Sequence, residues 1–217
     1  MTEFALPSGV TAWLDEASMI AFGKNEWPYY DGIPDRDPNR ILPEDVQVTI
    51  SMNSFISRAD VVRSVHLGMV RACEPMLRGI PQDADLSTFD ADLTVAERLL
   101  SAACAEPQIL LARAAKVLHR KRPGYIPMLD SVMMAAYGQA MNQPHLIRHA
   151  VEDKKRAGSA AAIVMAAFRT DVATVTERLA PLHQSLREEG TPMTPVRLLE
   201  VAVWMANETR GYYRTGA

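Results

Sequence analysis

The sequence predicts an all-α fold, a multi-helical single domain over residues 1–217 that could fall into two small lobes. Three observations carry this. Alanine, leucine and methionine are plentiful while aromatic residues make up 6% of the chain, a composition that favours helix. Apolar residues recur at three- and four-residue spacing through the long segments. Proline and glycine fall mainly between those segments, where they stop helices.

In order, residues 15–22 predict a short helix. Residues 23–45, GKNEWPYYDGIPDRDPNRILPED, predict a long irregular segment, the kind that is either functional or mobile. Trp27, Tyr29 and Tyr30 are its expected anchors. Asp31, Asp35 and Asp37 lack calcium-loop spacing and read as turn formers. Pro43, with Glu44 and Asp45 behind it, suits a helix first turn. That helix is expected to carry Val46, Val48, Ile50, Met52 and Phe55, although the β-branched residues would also suit a strand.

Ala59–Leu77 reads as a helix that Pro75 ends or bends. Two DADL runs, at 83–86 and 90–93, read as turn and capping aspartates. Thr94–Ala105 is helical, with Ala96, Leu99, Leu100 and Ala103 inward. A basic helix follows Pro107 and presents Leu110, Ala114, Val117 and Leu118 to the core. Pro123 stops it, and Gly124 is expected to supply the positive φ of a helix exit. Helices are then expected over 144–156, 158–168, 171–189 and 194–208, with a loose tail at 211–217.

Length and charge set bounds. A chain of 217 residues can bury a substantial core. Its net charge of −3 means that any nucleic-acid contact must come from a local patch. The two cysteines, Cys73 and Cys104, lie in apolar helical contexts and read as reduced core residues. The N-terminus has no basic region followed by an apolar run, and the apolar run 160–168 is too short to cross a bilayer. The expectation is a soluble cytoplasmic protein with no membrane partner.

Candidate chemistry concentrates in RAAKVLHRKRPGYIPMLDSVMM, residues 113–134. Arg113, Lys116 and Arg120 share a helix face, and His119, Lys121 and Arg122 extend the charge. Such a stripe either lies against phosphates or complements a helix C-terminus. Asp130 stands before Val132, Met133, Ala136, Tyr137 and Ala140, the apolar face of the next helix. It is an N-cap, or else a carboxylate placed to stabilise a developing cation. His145 and His149 have a helical metal spacing, but Leu146 stands where the metalloprotease motif has glutamate. No nucleotide-loop, serine-hydrolase or dinucleotide motif is present, and no cofactor or metal is implied.

The run Lys116-Val117-Leu118-His119-Arg120-Lys121-Arg122-Pro123, with Ile126-Pro127 and Asp130-Ser131, resembles the signature of a bacterial family of uncharacterised proteins. That family is distantly similar to the helix-hairpin-helix DNA glycosylases. The resemblance implies a helical glycosylase-like fold, DNA as partner, and Asp130 as the catalytic residue that stabilises positive charge on the sugar as the base leaves. Arg113, Lys116, His119, Arg120, Lys121 and Arg122 would be the nucleic-acid-binding residues. The chain departs from the pattern where those enzymes carry a glycine hairpin. Cys104-Ala105-Glu106-Pro107-Gln108-Ile109 stands there, with no glycine and with an acid that would repel phosphate. A second class therefore stays open, a non-enzymatic helical interaction or regulatory protein, with a second copy of itself among its partners.

Overall fold

The computed structural model describes residues 2–25, 27–52, 59–90 and 92–208, and helix dominates them. Among these residues the α-helices are α1 Glu16–Asn25, α2 Pro43–Val48, α3 Ala59–Leu77, α4 Thr94–Ala105, α5 Leu111–Lys121, α6 Ser131–Ala140, α7 His145–Val151, α8 Ala157–Glu188 and α9 Pro195–Glu208. The helical fold class is as expected. The expected tail at 211–217 and Phe55 lie outside the described residues.

Strands β1 (Thr2–Ala5) and β2 (Thr11–Leu14), to which the sequence assigned nothing, form an antiparallel hairpin. Its turn is local: Leu6 N–H donates to Val10 O at 2.8 Å, and Gly9 takes a φ of +86°. The hairpin is held from outside. Asp171 on α8 accepts from Ser8 N at 2.9 Å, Ser8 Oγ at 2.6 Å and Tyr137 OH at 2.7 Å. Asn207 on α9 donates to Thr11 O at 3.1 Å.

Helix α8 spans what read as two helices, because nothing between Phe168 and Asp171 breaks the pattern. Pro181 sits inside it, exposed like Glu177, so the carbonyl that loses its N–H partner can be hydrated. Val164, Met165, Phe168, Val172, Val175 and Leu179 line its buried face. By length and composition α8 could cross a membrane. Half of its 18-residue window of mean hydropathy 1.2 is buried within the fold, as in a core helix.

Other boundaries moved for local reasons. The helix begun at Pro43 gives way to a 3-10 turn, Thr49–Met52, where Thr49 Oγ1 and Ser51 Oγ bond the carbonyls of Val46 and Val48. Helix α7 ends at Val151, and Asp153 Oδ1 accepts from Lys155 N–H in an Asx turn. Gly124 does not take the expected positive φ. It is required for space, since a Cβ there would stand 2.9 Å from Ala84 O. Both cysteines are free and buried.

Candidate functional site

Helix α5 buries Leu111, Ala114, Ala115, Val117 and Leu118. It also buries Lys116, His119, Arg120 and Lys121, and Arg122 just beyond it is 0% exposed. The surface stripe expected from the sequence is therefore interior, with Arg113 the member that is not buried. Arg120, Lys121 and Arg122 spend their donors on oxygens of the protein itself. The expected shared face gives way because the 27–45 segment wraps the end of α5 and supplies acceptors for it.

That wrapping is specific. Arg120 donates from Nε to Asp45 Oδ1 at 3.3 Å, and from its terminal nitrogens to Tyr30 O at 2.9 Å and Ile33 O at 3.3 Å. Lys121 Nζ meets Asp35 Oδ1 and Asp45 Oδ2, each at 2.6 Å, and Asp37 O at 3.1 Å. Arg122 donates to Ile80 O, Pro38 O, Lys121 O, Asn39 Oδ1 and Leu77 O, all within 2.9 Å. Tyr30 is buried with its hydroxyl donating to Lys116 O, and the Arg120 guanidinium lies 5.6 Å from its ring centre. Tyr30 is thus an anchor, as expected. Tyr29 is 65% exposed and is not.

Asp130 caps α6. Its Oδ1 accepts from Val132 N at 2.9 Å and Met133 N at 3.0 Å, and its second oxygen takes no part in those bonds. The residue is partly exposed. Burial raises its pKa, opposed by the capping amides, Lys116 and Arg197. Lys116 is lowered by burial, against the pull of Asp130 and Glu200. Its Nζ donates to Met52 O.

Beneath Asp130 lies a charged layer that the sequence reading did not single out. Arg197 on α9 donates from Nε and one terminal nitrogen to Asp31, at 3.0–3.2 Å, and from the other to Glu200 Oε1 at 2.8 Å. Glu200 Oε2 accepts from Met128 N at 3.1 Å. Burial, the largest cause, pushes Glu200 up to about 8 despite Arg197, with Asp130 and Asp31 raising it further. His119 Nδ1 bonds Ile126 O at 2.7 Å, so that nitrogen carries the proton of the neutral ring. Its Nε2 is buried without a hydrogen-bond partner, 3.9 Å from Asp31 Oδ1. Burial, then Arg197, brings His119 down to about 4. The missed pair had a signal, since Arg197 and Glu200 interrupt the apolar run VRLLEVAVWM one helical turn apart. Asp31 had none, because an aspartate in YYDG reads as a turn.

His145 and His149 stack edge-on at 5.1 Å on α7, and Arg156 lies beside His149. Among the described residues no group of three or more histidine, cysteine, aspartate or glutamate side chains gathers as a metal site.

Fold and site together define a mostly helical protein with a small β-hairpin and a buried ionic layer near a helix-capping carboxylate. The chain belongs to a family of unknown function, DUF6308, whose model matches residues 11–207. No curated protein and no solved structure matches it.

Proposed function

We propose that the protein acts on nucleic acid in the manner of a DNA glycosylase, with Asp130 stabilising the cationic sugar as the base departs. In this reading the glycosidic bond breaks with its electron pair leaving on the base. Water then adds to the sugar carbon and gives up a proton. One observation carries the proposal: Asp130 is held by two backbone amides at the mouth of α6, partly exposed above a buried ionic layer. A carboxylate fixed in this way needs no reorganisation when positive charge develops beside it. The resemblance in residues 116–131 supports the same role.

The cations of α5 enter this reading as the frame of the site. Lys116 is beside Asp130 electrostatically, whereas Arg120, Lys121 and Arg122 tie down the 27–45 segment. Arg113, the member of that set that is not buried, is the one this reading assigns to a phosphate.

The interior placement of these cations also favours a second reading, a non-enzymatic helical interaction protein in which Asp130 is a cap alone. One pair of measurements separates the two: base release from a duplex carrying a damaged base, and thermal melting, both on Asp130→Asn. Glycosylase chemistry predicts release lowered by about 100-fold or more with little change in melting. An unreactive native protein that also fails to bind duplex at low salt sinks the first reading.

A further inference from the structure

We infer that Asp31, Arg197 and Glu200 are positioning residues, a relay that ties the 27–45 segment to the backbone of the link carrying Asp130 and so aims that carboxylate. The inference rests on the reading of Asp130 given above, but its geometry stands apart from it. The link between α5 and α6 is short and proline-bounded, with Pro123 and Pro127 restricting Arg122 and Ile126. Two buried side chains from different helices grip it. His119 holds Ile126 O, and Glu200 holds Met128 N, two residues before Asp130. Glu200 is in turn held by Arg197, which also donates to Met128 Sδ at 3.5 Å and turns Nε and its second terminal nitrogen to Asp31. A main-chain amide, a carboxylate, a guanidinium and a second carboxylate therefore follow one another without a gap. They join three parts of the chain that are distant in sequence.

Among the described residues, charged or titratable groups face Glu200 from four parts of the chain. On its own helix it faces Arg197. From the segment come Asp31 and Tyr30, from the link Asp130, and from α5 Lys116. A change of charge on Glu200 must therefore alter its grip on Met128 N–H, since a carboxylate accepts that bond more strongly than a carboxylic acid. The field at Asp130 changes with it.

The test is a carboxyl and amide NMR titration of the whole protein. As Glu200 titrates, followed by its own carboxyl signal, the Met128 amide and the Asp130 carboxyl should inflect at the same midpoint. In Asp31→Asn, which removes a negative charge but keeps an acceptor for Arg197, that midpoint should fall, and all three signals should move together. In Glu200→Gln the shared inflection should vanish. A Glu200 titration to which Met128 and Asp130 do not respond overturns the relay. So does a midpoint in Asp31→Asn that shifts for Glu200 alone. The native titration suffices if a variant fails to fold. Base release supplies the independent arm: its pH profile should bend at the Glu200 midpoint and lose that bend in Glu200→Gln. Release that occurs without the bend also overturns the relay. If the native protein releases no base, the glycosylase reading fails, and the NMR coupling alone decides the relay.

Discussion

Arg122 has five N–H donors and meets five oxygens, four of them main-chain carbonyls. Such a residue is a structural pin, since every direction of its planar fork is used. Lysine would bring three donors to the same place. Arg122→Lys therefore leaves buried acceptors unpaired, and at about 1–3 kcal/mol for each such group we expect a loss near 3 kcal/mol. Urea unfolding measures it, and a loss below about 1 kcal/mol would contradict the pin. Asp130 differs. Asp130→Ala removes the cap and should cost about 1 kcal/mol. Asp130→Asn keeps an oxygen for the Val132 and Met133 amides, so it separates chemistry from stability.

At the level of elements, α8 meets α4 at Gly158 with no room for a side chain. A Cβ on Gly158 would stand 1.9 Å from Ser101 Oγ, 2.7 Å from Glu97 O and 2.8 Å from Ser101 N. The serine hydroxyl could rotate away, but the two backbone atoms could not. Gly158→Ala gains helix propensity yet must push two helices apart, which costs about 1–3 kcal/mol in a packed core. The overpacking should win, and a lower melting temperature for Gly158→Ala would show it. A variant as stable as the native protein would mean that α4 gives way easily. The hairpin turn is similarly pinned by Asp171, with Asn207 holding Thr11 O. Asp171→Ala strips the acceptor from Ser8 and Tyr137, so proteolysis should open residues 2–14 first, while α4 and α8 stay protected.

For the whole molecule, the buried ionic layer makes stability depend on pH in two opposed ways. His119 has a folded pKa lowered from 6.5 to about 4. The unfolded chain binds its proton first, so its contribution is lost as pH falls from 6.5 through 4. Glu200 has a folded pKa raised from 4.5 to about 8. Here the folded state holds the proton longer, so stability falls as pH rises from 4.5 to 8 and then levels. From about pH 7.5 upward the histidine is nearly neutral in both states, and the slope from this pair belongs almost entirely to Glu200. Its ceiling is one proton, roughly 1.4 kcal/mol per pH unit. Glu200→Gln should flatten the decline of melting temperature as pH approaches 8 from about 7.5. An unchanged slope in that variant would place the titration elsewhere.

The helical class, most helix positions, the capping Asp130 and the reduced cysteines were legible in the sequence, because each follows from local spacing or from the chemistry of neighbouring residues. Helix periodicity is set within a few turns, and an aspartate before an apolar run caps it whatever lies beyond. The direction in which a charge points is not local. Arg120, Lys121 and Arg122 read as a surface stripe because nothing within α5 says that residues 27–45 fold back over them. The carbonyls and aspartates that receive them lie 42 to 90 positions earlier in the chain, apart from Lys121 O on the adjoining residue. Tertiary structure alone decided that the cations are internal, and that Asp31, Arg197 and Glu200 meet beneath Asp130. The reason is physical: a buried charge is tolerable only where its partners have already been brought to it, and bringing them is the work of the fold.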